Sequence, residues 1–406
     1  MILDVNRVRA DFECLAIPLN GLPPVYFDNA CMTLKPKPVL DVMLDYYRHN
    51  PSCHNRASHK FGEATTKQYD HARRIIQKHI NAESSSEVIF TRNTTEALNL
   101  VAHGIALTAG DTILTSDMEH NSNLLPWQAL RKRGVNHLTF PIRPNANFED
   151  LDGFENTIRT KNVKVVSTFY ISNVTGISLP IKEMASLAHK HGALFVLDAA
   201  QALPHRQLDV RDCEIDYMAI SFHKAFGPTG IGALFGRRKL LLNWEPLMRG
   251  GETVEDVTFD NHTLSDLPFR LEPGLQDYAG AIGAARALQY ISALGFDRIR
   301  DHELKLNNLL TAKLSELPGV RILGPQSAQQ RGSIVNFLLK NVDAREAALL
   351  LDRTANFMTR GGVHCCHAWY HRYDVPPSLR VSLSIYNTEH EIELFVNTLA
   401  KIVRYF

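Results

Sequence analysis

Lys224 sits just past an apolar run, Tyr217-Met218-Ala219-Ile220, in the stretch Ser221-Phe222-His223-Lys224-Ala225-Phe226-Gly227-Pro228. The run reads as a buried strand, and the Gly/Pro-rich turn after it holds the amine near the sheet, not on a flexible helix face. An amine in that position is partly desolvated and can act as a nucleophile at neutral pH. A second run, Leu194-Phe195-Val196-Leu197, ends in Asp198, with room for one crossover before the lysine strand. A loop lysine alone is commonplace, but paired with an aspartate at a neighbouring strand end it meets the needs of pyridoxal phosphate. The amine bonds the aldehyde, and the carboxylate keeps the ring nitrogen protonated so that the ring can accept electrons.

Other groups follow strand ends in the same way. The turn Asn93-Thr94-Thr95-Glu96 offers hydroxyls and free N–H groups at a helix start, which suit a phosphate and suit a plain helix cap equally. Ser221 and His223, flanking the lysine, could add donors to that phosphate. In Glu119-His120-Asn121-Ser122-Asn123 an imidazole could lie on a planar ring, and in Ser172-Asn173-Val174-Thr175-Gly176 an amide could reach a ring or substrate oxygen. Gly227-Pro228-Thr229-Gly230-Ile231-Gly232 is not a dinucleotide loop, because its glycine order is wrong and it opens a strand. Late in the chain, Thr359-Arg360-Gly361-Gly362-Val363-His364-Cys365-Cys366-His367 places a cysteine in a glycine-bearing loop beside His and Arg, a setting that favours a nucleophilic thiolate. The adjacent cysteines lack the spacer of a structural zinc site, so no metal is expected. Arg380, inside the apolar run Leu379-Arg380-Val381-Ser382-Leu383, needs an anionic partner: a substrate carboxylate or an internal Asp or Glu.

The elements that must position these groups alternate. Strand-like runs at Val88–Phe90, Thr112–Thr115, His137–Phe140, Val163–Phe169, Leu194–Asp198, Tyr217–Ser221 and Ala233–Phe235 are mostly separated by helical patterns. The pattern predicts an α/β fold with a mostly parallel sheet and a ligand beyond the carboxyl ends of its strands. The hydroxyls of Thr91–Glu96 are expected to cap a helix Ala97–Ile105. Past Arg249-Gly250-Gly251 the alternation lapses, which predicts a smaller α+β unit carrying the cysteine loop. The expected division is an N-terminal helical segment 1–20, a large unit 21–265 and a small unit 266–406.

At 406 residues the chain exceeds one compact core. Lys+Arg 44 against Asp+Glu 43 gives a net charge of +1, with no polybasic run, so neither nucleic acid nor an anionic membrane is an expected partner. No apolar stretch reaches membrane-span length, and Met1–Arg7 lacks the apolar core of a signal peptide. Six cysteines without framework spacing are expected to be reduced thiols in a cytoplasm.

Taken in order, these motifs resemble class V, fold-type I pyridoxal phosphate enzymes, in particular group II cysteine desulfurases and selenocysteine lyases. The resemblance runs from about Tyr26 to the C-terminus. It implies a seven-stranded, mostly parallel sheet in a large cofactor-binding domain, a smaller α+β domain, and an N-terminal segment packing with the latter. By the same likeness Lys224 would be the Schiff-base lysine, Asp198 the ring-nitrogen partner, His120 the stacking group and Gln201 the partner of the phenolate oxygen. Thr95, Ser221 and His223, with Thr94 beside them, would hold the phosphate; Asn173, Arg360 and Arg380 would bind substrate. Cys365 would carry a persulfide taken from L-cysteine, or from L-selenocysteine a selenium, for a sulfur-acceptor protein. A homodimer is implied too, although Leu275 stands where such enzymes place a threonine that reaches the partner's phosphate. Selenocysteine lyase, cysteine sulfinate desulfinase, another class V aminotransferase and a non-catalytic sulfur carrier are the alternatives. Which of Cys365, Cys366 and Cys31 passes sulfur on stays open.

Overall fold

The computed structural model describes residues 3–405, so Met1 and Ile2 of the expected N-terminal segment lie outside it. Its larger sheet has seven strands in the order Val88–Thr91, Gly232–Gly236, Tyr217–Ser221, Leu194–Asp198, Val163–Phe169, Thr112–Ser116 and Asn136–Phe140. Gly232–Gly236 runs antiparallel to both of its neighbours, and the other adjacent pairs are parallel. The strands read as unbroken apolar runs because both faces are covered. Along Tyr217–Ser221, Met218 and Ile220 enter one hydrophobic core while Tyr217 and Ala219 enter the other.

The second unit holds a four-stranded antiparallel sheet ordered Val320–Leu323, Ile334–Leu339, Ser378–Ser382, Arg360–Gly362. Its core joins Leu306, Leu310, Leu351, Phe395 and Leu399 from three helices to Phe337, Leu379 and Val381. Packing divides the chain differently from a cut at 265/266. The helix Tyr278–Leu294 buries Ala281, Ala284, Leu288 and Ile291 in the large core, although the alternation of strands has already lapsed before it. Conversely Val25–Tyr26 pairs in parallel with Phe357–Met358, and Val25 and Phe27 pack into the small core. The N-terminal segment bridges the two units: the Phe12 ring meets Phe226, Tyr290 and Tyr386 edge-on, and Arg9 Nη1 donates to Glu391 Oε1 at 2.7 Å.

His137, on the strand Asn136–Phe140, is buried with its Nε2 2.9 Å from Thr115 Oγ1 and its Nδ1 without a partner among the described residues. Burial, aided by Arg131, pushes its pKa down to about 4. The unfolded chain therefore takes up this proton first as the pH falls, and stability is lost from about pH 6.5 down to about pH 4. One such group contributes a slope of up to about 1.4 kcal/mol per pH unit. Denaturant titrations from pH 7 to pH 4.5 are expected to show a shallower loss in His137→Asn than in the wild type.

Candidate active site

The strand ends Asp198 and Ser221 lie on the carboxyl edge of the sheet, and the chain turns there because its buried runs stop. After Ser221 a single 3-10 turn, Phe222–Lys224, carries the lysine inward, and Phe226 follows at φ +62°. That left-handed residue, unusual for a bulky side chain, is held by Thr33, whose hydroxyl accepts from Phe226 N at 2.7 Å. Lys35 Nζ reinforces the same turn by donating to His223 O at 3.0 Å. Burial pushes the Lys35 pKa down to about 7. The loop from Asp28 to Lys35 is thereby tied to the lysine turn.

Lys224 projects into a cleft of about 440 Å³ shared with Asp198, Gln201, His120, Thr94, Thr95, Ser221, His223, Asn173, Arg360, Cys365 and Arg380. Thus the residues to which the resemblance gives catalytic, cofactor or substrate roles come together, whereas Cys366 and Leu275 do not line the cleft. Desolvation lowers the Lys224 pKa, Arg380 adds to the effect and Asp198 opposes it. Burial raises the Asp198 pKa, against a hydrogen bond from Ala200 N (2.9 Å) and the charge of Lys224. A buried carboxylate with one backbone donor is under-partnered. It suits a cationic ring nitrogen. His120 is pushed down to about 3 by burial and by the charges of Lys224 and Arg380, so it faces the cleft as a neutral imidazole. Gln201 Nε2 donates to Ala30 O at 2.7 Å.

The turn at Asn93–Glu96 is built differently from the expected cap. The helix spans Thr94–Gly104, three residues longer at its start, and Asn93 caps it by accepting from Glu96 N at 3.0 Å. With the cap supplied by Asn93, the threonine hydroxyls are released to the cleft. Thr94 Oγ1 lies 2.7 Å from Ser221 Oγ, Thr94 N donates to the same oxygen, and Thr95 Oγ1 lies 2.7 Å from Ser122 Oγ. Hydroxyls at the N-terminus of an 11-residue helix form an anion site. Gly232 permits it, since a Cβ there would come within 2.7 Å of Asn93 Cα. Pyridoxal phosphate therefore fits the groups present: an anion cradle, an under-paired carboxylate and a desolvated amine around one cavity.

The cysteine loop crosses the mouth. His364 and Cys365 both take left-handed backbone conformations (φ +49° and +58°), which non-glycine residues rarely adopt consecutively. Asn121 N holds Cys365 O at 2.8 Å. The turn leaves Cys365 exposed and sends Cys366 inward, where its Sγ donates to Asn173 Oδ1 at 3.3 Å and burial drives its thiol pKa far up. Of the two adjacent thiols only Cys365 is accessible.

All three expected substrate groups are engaged within the protein. Asn173 Nδ2 donates to His364 O at 2.7 Å, so its amide pins the cysteine loop. Arg380 has an internal carboxylate as its partner, Asp28: its Nη2 donates to Oδ1 at 3.2 Å, while Nη1 donates to Asn173 O. Arg360 shares Asp28, donating through Nη2 to Oδ2 at 2.7 Å. Arg380 Nε, buried, has no partner among the described residues. Asp28, Lys35 and Glu119 are absent from the sequence-derived set. Glu119, at the sheet edge beside His120, accepts from Asn123, Thr168 and Phe169 N, and burial pushes its pKa up to about 8. The placement of Asp28 after a short strand is the one sequence signal that could have flagged it.

Comparison with known proteins agrees with this geometry. Residues 25–395 match the family model of class-V aminotransferases. A probable cysteine desulfurase of Halalkalibacterium halodurans is 37% identical over 408 residues, covering 100% of this chain and 99% of the relative. One from Staphylococcus aureus is 37% identical, covering 99% and 98%. Among solved structures, an apo cysteine desulfurase from Thermococcus onnurineus superposes with a TM-score of 0.93 at 34% identity, covering 100% of this chain and 99% of that one. A cysteine desulfurase of Escherichia coli in its S-sulfonic acid form gives 0.91 at 28% identity, with 100% of both chains covered.

Proposed function

The chain belongs to the class-V aminotransferase family and, within it, is a cysteine desulfurase; from that premise we propose that Lys224 and Cys365 are its two reacting groups. The observation that carries this reading is that one cleft holds the desolvated amine, the under-paired Asp198 carboxylate and the exposed thiol. Pyridoxal phosphate, when bound, supplies an aldehyde that condenses with amines and a ring that withdraws electrons from the substrate Cα. Asp198 would hold its ring nitrogen, Gln201 its phenolate oxygen, and Thr94, Thr95, Ser221 and His223 its phosphate, with His120 on the ring face.

L-cysteine enters the cleft with its carboxylate directed to Arg380, displacing or sharing Asp28, and with Arg360 beside it. Lys224 removes the proton from the substrate Cα as general base. The Cys365 thiolate attacks the substrate sulfur, the C–S bond breaks, and protonation of the carbon left behind gives L-alanine. The substrate exchanges a C–S bond for a C–H bond, and Cys365 exchanges its S–H for an S–S bond. Asn173 and Asn121 hold the cysteine loop for that attack. The persulfide then passes to an acceptor protein for iron–sulfur or other sulfur assembly. The reading includes a cytoplasmic homodimer, for which the exposed Val257, Phe259 and Leu275 offer apolar contact surface.

Incubation with L-cysteine tests the reading. Cys365→Ala is expected to keep the visible absorbance of the cofactor and to lower sulfur release by about a hundredfold or more, the scale of losing an activated nucleophile. Mass spectrometry of the wild type is expected to place one added sulfur on the peptide carrying Cys365. Full activity in Cys365→Ala would remove the thiol from the mechanism.

A further inference from the structure

Cys31 is the third thiol at this site, and the desulfurase reaction as described gives it no role. It follows Asp28-Asn29-Ala30, a segment fixed from several sides: Asn29 Nδ2 donates to Ser382 O at 2.6 Å, Ala30 N to Ser382 Oγ at 2.9 Å, and Cys31 N to Asp28 O at 3.0 Å. The half-buried Cys31 lines the same cleft as Cys365. Arg360 joins the two thiols structurally. It stands on the strand that leads into the Cys365 loop, and its Nη2 donates to Cys31 Sγ at 2.9 Å while also gripping Asp28. Both thiols also lie close enough to Lys224 to act on it electrostatically. Beside them Arg380, buried and with its Nε unpartnered among the described residues, lines the cleft as a second cation. Charge-assisted donors of this kind stabilise negative charge on sulfur, and a persulfide carries such charge. Buried Cys366 is excluded from this role, since its sulfur is turned to Asn173 and Met118.

We infer that Cys31 is a second sulfur-carrying residue, which takes the outer sulfur of the Cys365 persulfide within the cleft. This rests on the reading of Cys365 given above. The Cys31 thiolate attacks the outer sulfur, a new S–S bond forms on Cys31, and the S–S bond to Cys365 breaks with its electron pair leaving as the Cys365 thiolate. The proton given up by Cys31 ends on Cys365, and nothing is oxidised or reduced overall. Sulfur moves from an exposed rim to a fixed, half-buried site beside two guanidinium groups, and Cys365 is freed for another turnover before an acceptor arrives.

The holoenzyme is incubated with excess L-cysteine in the absence of reductant and acceptor, alkylated and cleaved before aspartates. This gives a fragment from Asp28 to Leu40 whose single cysteine is Cys31. In the wild type both this fragment and the Cys365 peptide are expected to gain one sulfur, about two per subunit. Cys31→Ala is expected to hold about one, on Cys365. In Cys365→Ala the Cys31 fragment is expected to stay unmodified, because its sulfur comes only through Cys365. A wild type loaded on Cys365 but not on Cys31 overturns the inference and leaves the desulfurase reading standing. Equal loading of Cys31 in Cys365→Ala overturns the relay order, and a wild type loaded on neither thiol overturns the reading itself. A Cys31–Cys365 disulfide accompanied by released sulfide also overturns it, since the attack would then fall on the inner sulfur.

Discussion

Lys224→Ala is expected to lower the release of alanine from L-cysteine by about a thousandfold or more while leaving the fold intact. General base catalysis alone accounts for roughly a hundred- to ten-thousandfold, and the same amine is the group that would hold the cofactor aldehyde. The site is built to keep this amine reactive. Desolvation and Arg380 lower its pKa, while Asp198 limits the fall, so the free base is present at lower pH than for an exposed lysine. The lysine donates no hydrogen bond to another described residue, so its truncation strands no buried acceptor. A change in unfolding free energy within about 1 kcal/mol is therefore expected. Lys224→Arg sharpens the test, since it keeps a positive charge near Asp198 and abolishes the titratable base. Alanine formation in either variant within tenfold of the wild type would show that the amine is not the reacting group.

The parts of this site that were legible in the sequence are those fixed by strand ends. Asp198, Ser221 and Lys224 follow runs whose apolar character comes from burial on both faces, so the run marks the strand and its last residue marks the edge. The roles of Asn173 and Arg380 were less legible, because both make long-range contacts. Arg380 meets Asp28 across a sequence separation of 352 residues, and Asn173 meets His364 across 191. No local pattern tells a substrate carboxylate from an internal one. The helix start at Thr94 is not legible from the sequence for a related reason. Asn93, Thr94 and Thr95 are all competent caps, and the choice of Asn93 depends on Ser221, at a strand end, and Ser122, in a 3-10 turn, engaging the two threonines. The domain division was obscured at Tyr278–Leu294, because a helix rich in alanine and glycine packs closely against helices that precede it by some 200 residues and carries no mark of which sheet it serves.

Glu272→Ala is expected to destabilise the protein by about 3–5 kcal/mol, the cost of leaving a buried charge without its partner. Arg73 and Glu272 are nearly inaccessible and meet through two bonds, Nη1 to Oε1 at 2.6 Å and Nη2 to Oε2 at 2.8 Å. Their further bonds explain why an ion pair is buried here. Val88–Thr91 is an edge strand, and an edge leaves backbone groups unpaired. Arg73 Nη1 donates to Val88 O at 2.7 Å and Glu272 Oε1 accepts from Phe90 N at 2.6 Å, so the pair caps the open edge. Tyr69 adds a hydroxyl to Glu272 Oε2, and the Arg73 guanidinium lies 4.6 Å from the Phe90 ring centroid. The same strand delivers Asn93, Thr94 and Thr95 to the cleft, so loosening it is expected to weaken retention of the cofactor in parallel with stability. Arg73→Met combined with Glu272→Met removes both charges and is expected to recover part of the loss. Full recovery is not expected, because Phe90 N and Val88 O remain uncapped at roughly 1–3 kcal/mol each. Denaturant unfolding of the two single variants and the double variant measures these differences. A cost below about 1 kcal/mol for Glu272→Ala would mean that water replaces the carboxylate at the strand edge, and that the ion pair does not hold it.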